Sequence, residues 1–260
     1  MSKVFDTTLA RRQFGPAAAD YAASDVHARG ESLALLVERL QPVVGGLALD
    51  VGTGAGHTAL ALAPCVAAVV ALDVTPEMLV QTRRLAAGRG IDHLVTVSGD
   101  AGALPFAEST FDLVTCRLAH HHFPDQHRAF RECARILRPG GRLGFTDNVT
   151  VTDPPAAKWY NAYERLRDPS HHRVHALPDL QAMIEHAGLR IESSVVLAKE
   201  FEFHAWADRQ RVSPARKMQL LTMMRALPRA LEPLFAPRWV DGTLYFSLWE
   251  AVIVARKVVE

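Results

Sequence analysis

The stretch Leu47-Ala-Leu-Asp-Val-Gly-Thr-Gly-Ala-Gly-His57 constrains this chain more than any other, because a short apolar strand runs into three alternating glycines and then straight into a helix. Glycines at 52, 54 and 56 open backbone conformations closed to residues with a Cβ, and they let a ligand approach the main chain closely. The amides that open the next helix point at whatever lies there, which suits a carboxylate or a hydroxyl-rich ribose. The dinucleotide fingerprint G-x-G-x-x-G uses the same device. Counting from Gly52, however, the sixth position is His57, where such a site requires glycine for close helix-to-strand packing. Taken alone, the turn also fits a plain tight connection between strand and helix. Residues at set intervals downstream decide between the two.

Strands and helices alternate from this point. Val66-Ala-Ala-Val-Val-Ala-Leu72 is a continuous apolar run of the kind found in buried parallel strands, and Asp73 ends it. Thr75 caps a helix with Pro76 at its first position, closing near Gly88. Leu94–Val97 reads as a third strand ending in Gly99-Asp100, and Thr110-Phe-Asp-Leu-Val-Thr-Cys116 as a fourth, followed by Arg117 and three consecutive histidines. A helix from about Asp125 to Leu137 carries Phe130, Cys133, Ala134 and Leu137 on one face, and Pro139-Gly140-Gly141 turns the chain into a fifth strand, Arg142–Thr146. Five strands with four intervening helical segments predict a doubly wound α/β sheet. Ahead of it, after Ser24 as N-cap, Leu33, Leu36, Val37 and Leu40 recur at helical spacing, so residues 1–40 form an N-terminal helical segment.

Beyond Asp147 the alternation breaks. Residues 148–176 hold a helix with Trp159, Tyr160 and Tyr163, then the turn-rich Arg167-Asp-Pro-Ser-His171, and inserted connections of this kind commonly roof a site. Pro178–Ala187 resumes as a helix, and Ile191–Phe203 and Thr243–Lys257 read as two long strands. The Pro- and Arg-rich 205–241, with a helix around Arg216–Ala226, is a second elaboration between them. The expected organisation is one domain over 1–260, with a cofactor-binding core at 41–147 and cap or lid elaborations at 148–176 and 205–241.

Twenty-nine basic and 28 acidic residues leave a formal net charge of +1, so no long-range field draws the chain to nucleic acid or an anionic membrane surface. No apolar run is long enough to span a bilayer, and no signal peptide opens the sequence. Cysteines at 65, 116 and 133 form no C-x-x-C pair and are odd in number, which fits free thiols in a reducing compartment. A cytoplasmic protein with a small-molecule partner is expected, and its oligomeric state is not readable.

A nucleoside site in such a sheet needs an acid at the end of the second strand, where a carboxylate accepts both ribose hydroxyls, and Asp73 stands there. Adenine needs an apolar slot with one polar acceptor. Asp100, in Gly99-Asp-Ala-Gly-Ala-Leu-Pro-Phe106, supplies the acceptor, and Val74, Met78 and Ala101 wall the ring. Each has a plainer reading when taken separately, the acids as N-caps and Met78 as core. Their coincidence in order is what counts. With Asp50-Val-Gly-Thr-Gly-Ala-Gly56, Asp73, Gly99-Asp-Ala101, Phe111-Asp-Leu-Val114 and Leu137-Arg-Pro-Gly-Gly141, the chain resembles class I S-adenosylmethionine-dependent methyltransferases, in the branch that includes the ubiquinone and menaquinone methyltransferases.

That resemblance covers about residues 30–147. It implies a Rossmann-like, doubly wound, mostly parallel seven-stranded sheet with an antiparallel last strand and helical caps, and S-adenosyl-L-methionine as cofactor. It puts Asp50, Gly52 and Gly54 at the methionine and ribose end with Gly56 completing the turn, Asp73 at the ribose, Asp100 and Ala101 at adenine, and Arg117 beside the cofactor. Three outer pieces, Phe14…Tyr21…His27, Arg167-Asp-Pro-Ser-His171 and Phe203…Trp206…Arg209, also resemble a bacterial subgroup whose substrates are mostly unassigned.

Methyl transfer from a sulfonium mainly requires the nucleophile to be held at about 3–3.5 Å in line with the breaking bond, with water excluded. A base helps when the acceptor is a phenol, an activated carbon or a protonated amine. His120, His121 and His122 stand at the correct end of the sheet and His171 arrives from the insertion; an imidazole near its ordinary pKa takes a proton at neutral pH. No third ligand sits at a standard spacing from the histidine run, so no metal is expected. The other reading has His120 opening the next turn, packed or bonded to backbone. Trp159, Tyr160 and Tyr163 read as helix packing or as acceptor-pocket wall, and Arg209 and Arg211 as solvated side chains or as a clamp on an anionic substrate. The expected activity is methyl transfer to a small apolar or aromatic acceptor. An S-adenosylmethionine-binding protein with a non-methylating reaction and a nicotinamide-dependent oxidoreductase are the alternatives.

Overall fold

The computed structural model describes residues 8–24, 28, 30–42 and 44–258. Helices α1 (Thr8–Phe14), α2 (Ala18–Ala22) and α3 (Glu31–Leu40) precede β1 (Leu47–Val51). Next come α4 (His57–Leu62), β2 (Ala68–Asp73), α5 (Pro76–Gly88), β3 (Leu94–Ser98), β4 (Phe111–Arg117), α6 (Gln126–Ile136) and β5 (Leu137–Val149). After α7 (Pro154–Arg167) and α8 (Leu177–His186) come β6 (Leu189–Glu202) and three further helices, α9 (Phe203–Asp208), α10 (Pro214–Arg225) and α11 (Glu232–Phe235). A hairpin of β7 (Arg238–Val240) and β8 (Thr243–Lys257) closes the chain.

Period-two alternation decides how these elements stack. Leu49, Val51, Val70, Leu72, Val114 and Cys116 enter one buried cluster, while Ala48, Val69, Ala71 and Leu113 enter another on the opposite face. A sheet buried on both faces needs helices on both. Leu40 of α3, Leu60 of α4 and Ala86 of α5 cover the Ala48 side, and Phe130 of α6 with Met183 and Ile184 of α8 cover the Leu49 side. At Gly144 in β5 an added Cβ would stand 3.1–3.2 Å from Leu36 and Leu40, so the glycine lets α3 lie close on the sheet.

Among the described residues the strands form one eight-stranded sheet, ordered β3-β2-β1-β4-β5-β8-β6, with β7 paired to β8. Pairs among β1–β5 are parallel and β8 is antiparallel to both β5 and β6. The sheet thus has the expected doubly wound form with an antiparallel last strand, plus one strand not anticipated. Three residues of β7 are too few to show alternation in sequence. Residues 99–110 between β3 and β4 hold no helix; the Arg135 guanidinium instead donates to the Leu104 and Phe106 carbonyls and pins the loop. The helix expected after Ser24 has Gly30 as its N-cap and begins at Glu31, and His27 lies outside the described residues.

A third cluster builds the cap. Tyr160 and Tyr163 of α7 pack with Phe203 and Trp206 of α9, Phe235 of α11 and Phe246 of β8. Tyr163 stacks between Trp159 (5.2 Å) and Trp206 (5.5 Å), so the aromatic stripe of α7 is cap packing. Strand order reverses between β1 and β4, and beyond the carboxyl ends of such strands a crevice is expected.

Candidate active site

The turn after β1 is shaped from behind. Asp50 is 1% exposed and accepts hydroxyl bonds from Thr53 (2.6 Å) and Thr115 (2.7 Å). Burial pushes its carboxyl up to about 6, opposed by those two hydroxyls and by Arg117. A Cβ on Gly52 (φ +65°) would sit 2.6 Å from Ala119 Cβ, and one on Gly56 (φ +90°) 2.6 Å from the Thr82 methyl. These two glycines therefore answer close contacts. A Cβ on Gly54 would meet nothing within 4 Å; this residue opens onto a cavity of about 290 Å³.

Asp73 joins the turn to the end of β2. Its Oδ2 accepts the Gly54 amide and its Oδ1 the Thr75 amide, each at 2.8 Å. Asp73 also lines the cavity, which suits a carboxylate that accepts ligand hydroxyls. Burial raises its pKa, against the pull of those amides. Val74, Met78, Asp100 and Ala101 continue the cavity wall, and Asp100 Oδ1 accepts the Gly102 amide at 2.8 Å. At the end of β4, buried Arg117 donates from Nε to Thr58 Oγ1 at 3.1 Å; burial lowers its pKa, opposed by Glu250 and Asp50.

The three histidines share one tight 3-10 turn, so their rings leave in different directions. His120 points into the core, 4.4 Å from the Phe130 ring and 5.2 Å from Phe145, with Nε2 3.2 Å from the Gln126 carbonyl. Burial pushes it down to about 4, and it does not line the cavity. Of the two readings of His120, packing is the one that its surroundings support.

His121 faces the cavity and is gripped twice by Asp147. Its amide donates to Oδ2 at 2.9 Å and its Nδ1 lies 2.6 Å from Oδ1. Burial disfavours the charged ring, but the Asp147 charge and hydrogen bond outweigh it and hold the pKa above the ordinary imidazole value. In return, Asp147 is held below the usual carboxylate range against its own burial. With Nδ1 committed, Nε2 is the nitrogen left for a ligand. His171 Nε2 lies 2.8 Å from Asn161 Oδ1 and its ring 5.6 Å from His121; burial, then His121 and His122, keep it well below the ordinary value.

The far wall comes from the cap and the outer strands. Arg167 lies over the Trp206 ring at 4.2 Å and reaches Glu164 Oε2 at 3.6 Å, and burial raises Glu164. Lys199 donates to Glu250 at 3.2 Å. Gln210 donates to Tyr21 Oη (2.7 Å) and Asp168 (3.2 Å), tying the N-terminal helices to the cap over the cavity. This wall is charged where an apolar acceptor would want it bare. Arg209 lines it, whereas Arg211 pairs with Asp20 at the surface.

Ten of the expected residues thus meet around one cavity: Gly52, Gly54, Asp73, Val74, Met78, Asp100, Ala101, Arg117, His121 and His171. Asp50 and Gly56 support the turn without lining it, and His120 packs elsewhere. Asp147, Glu164, Lys199 and Glu250 were not anticipated. For Asp147 a signal existed, since it directly follows Thr146, where the parallel pairing of β5 with β4 stops, much as Asp73 closes the pairing of β2 with β3. Among the described residues no group of three or more His, Cys, Asp or Glu side chains has metal-holding geometry, and no helix is long and apolar enough to cross a membrane.

Residues 49–145 match a protein family described as a methyltransferase domain. The chain is 35% identical over 202 residues to the uncharacterized methyltransferase YcgJ of Bacillus subtilis, covering 78% of this chain and 80% of that one. The YcgJ crystal structure superposes with a TM-score of 0.82 over 88% of this chain and 99% of that one, at 31% identity. Half of the chain (49%) is 37% identical to the ubiquinone/menaquinone biosynthesis C-methyltransferase UbiE of Roseobacter denitrificans, spanning 52% of that protein.

Proposed function

Because the chain belongs to the class I S-adenosylmethionine-dependent methyltransferases, we propose that it transfers a methyl group in line to a small-molecule acceptor, with His121 as the base. S-adenosylmethionine, when bound, supplies a methyl group already activated by its sulfonium. The residues present fit this cofactor. Asp73, anchored by the Gly54 and Thr75 amides and lining the cavity, offers a carboxylate to the two ribose hydroxyls. Gly54 leaves open space where a Cβ would intrude, Val74, Met78 and Ala101 give an apolar slot for the purine, and Asp100 provides its polar edge.

The acceptor enters from the cap side. His121 Nε2 takes its proton, while Asp147 fixes the ring through Nδ1 and stabilises the imidazolium that forms, a contribution of about 10²–10⁴ in rate for a positioned base. His171 packs behind that ring and helps keep it in place. The N-terminal helices and cap exclude water, held together through Gln210, Tyr21 and Asp168. On this reading, residues 41–147 hold the cofactor, while 148–176 and 205–241 roof the acceptor within one domain. The kinship with UbiE supports a small acceptor, and the three free thiols support a reducing, cytoplasmic setting.

His121, which lines the same cavity as Asp73 and is held by Asp147 at 2.6 Å, carries the reading. It is tested by following S-adenosylhomocysteine release over a panel of phenols, quinols and amines. At least one class should be turned over, and His121→Ala should cut turnover by about 10² or more while S-adenosylmethionine affinity holds. A chain that binds S-adenosylmethionine yet methylates nothing in the panel, or a His121→Ala variant with full turnover, contradicts it.

A further inference from the structure

We propose that the methyl acceptor carries a carboxylate and that Arg209 is the residue that binds it. This rests on reading the cavity as a methyl-transfer site. The other cations of the far wall have partners: Lys199 donates to Glu250, and Arg167 reaches Glu164 and donates twice to the Trp206 carbonyl. Arg209 makes no ion pair among the described residues, and its buried Nε has no hydrogen-bond partner. Its guanidinium lies 5.1 Å from the Phe201 ring, and both residues line the cavity. A buried donor left unpaired is costly, so a ligand that pairs this guanidinium binds without competing against an existing bond. The planar fork of an arginine matches a carboxylate edge to edge.

Charge selects the kind of anion. Arg209 and Arg167 repel one another in this corner, and burial presses the Arg209 pKa down in the same direction. Burial also drives Glu164 toward its neutral form, while the Asp168 oxygens are taken by Ser170 and Gln210. A carboxylate adds one negative charge to this corner, opposite the arginine that has no ion pair among the described residues. A phosphate dianion would bring a second, facing Glu164, Asp168 and Glu250. Glu164 Oε1, also buried without a partner, fits a hydroxyl or amine on the same molecule. The acceptor class is therefore a hydroxy- or amino-substituted carboxylate.

The test uses the full chain and, as probes, matched pairs of hydroxylated or aminated aromatic and aliphatic carboxylates and their uncharged primary amides. Binding is measured by ligand-observed NMR with and without S-adenosylhomocysteine. Carboxylates should bind about tenfold more tightly than their amides. Arg209→Met should abolish that preference and Arg209→Lys keep part of it, with Arg211→Met behaving as the parent chain. Equal binding of acids and amides, absence of any carboxylate binding, or a preference that survives Arg209→Met overturns the proposal. If S-adenosylhomocysteine itself fails to bind, the methyl-transfer reading fails, and this is read separately from the carboxylate preference.

Discussion

Replacing Asp147 by asparagine removes one charge and one acceptor from the support of His121, and the structure sets what each is worth. Asp147 accepts from His121 Nδ1 (2.6 Å) and the Asn148 amide (2.8 Å) through Oδ1, and from the His121 amide (2.9 Å) through Oδ2. Asparagine has one oxygen, so at least one buried donor faces an NH₂ group, costing about 1–3 kcal/mol. The lost charge acts on the ring. Burial pushes His120, in the same turn, from 6.5 to about 4, a penalty of about 3 kcal/mol on the charged imidazole. His121 is less enclosed, its side chain 14% exposed where it faces the cavity, so it carries a smaller penalty of the same sign, and Asp147 more than offsets it, since the pKa sits above its ordinary value. In Asp147→Asn, His121 should therefore titrate below 6.5, in the direction of His120.

The same two groups give the stability change definite signs. The His121 pKa is raised, so its contribution is complete below 6.5 and is lost as pH rises through the folded value. The Asp147 pKa is depressed, so its contribution is present above 3.8 and is lost as pH falls through the folded value. The stability gap between parent and variant is then widest between 3.8 and 6.5. Histidine-resolved NMR titration, with His121→Gln to assign the signal, and urea unfolding across pH read both effects. A parent His121 that titrates at or below 6.5, or one that the variant leaves unmoved, refutes the reasoning.

Asp73→Ala should weaken S-adenosylmethionine binding by about 1.5–3 kcal/mol in calorimetry, the worth of hydrogen bonds to a charged group; unchanged affinity would remove the ribose role. Gly52→Ala forces a Cβ to 2.6 Å from Ala119 at positive φ and should cost about 2 kcal/mol or more of stability in urea unfolding. Gly54→Ala meets open space, so it should cost only about 1 kcal/mol of stability yet impair cofactor binding; equal stability losses would contradict the separate roles. The raised Glu164 pKa means that folding disfavours its ionised form, so stability falls as pH rises through the folded value. Glu164→Gln should thus raise the melting temperature at pH 8 and change it little at pH 4, and a gain of the same size at both would count against this.

The cofactor half was legible because it depends on short-range features. The apolar run into Gly52, Gly54 and Gly56 and the acid ending the second strand each sit where one strand and one turn put them, and both reappear at 2.8 Å across the Gly54–Asp73 bond. The strand Thr243–Lys257 was legible for the same reason, as an alternation that passes into a continuous apolar run. The histidine run was not separable in sequence, because a tight turn sends His120 into an aromatic core and His121 to Asp147 with no difference in local pattern. The acceptor wall was the least readable. Glu164, Lys199, Arg209 and Glu250 come from one helix, two strands and the turn that follows α9, and they converge only through pairing of β6 with β8 and packing of the aromatic cap.

Calorimetric titration of the full chain with S-adenosylhomocysteine, run beside NAD on the parent and on Asp73→Ala, tests the central claim most directly. The parent should bind one molecule of S-adenosylhomocysteine, the Asp73→Ala variant should bind it at least roughly tenfold more weakly, and NAD should give no heat. Binding of NAD in preference to S-adenosylhomocysteine, or equal S-adenosylhomocysteine affinity in both proteins, would contradict the placement of the cofactor between Gly54 and Asp73.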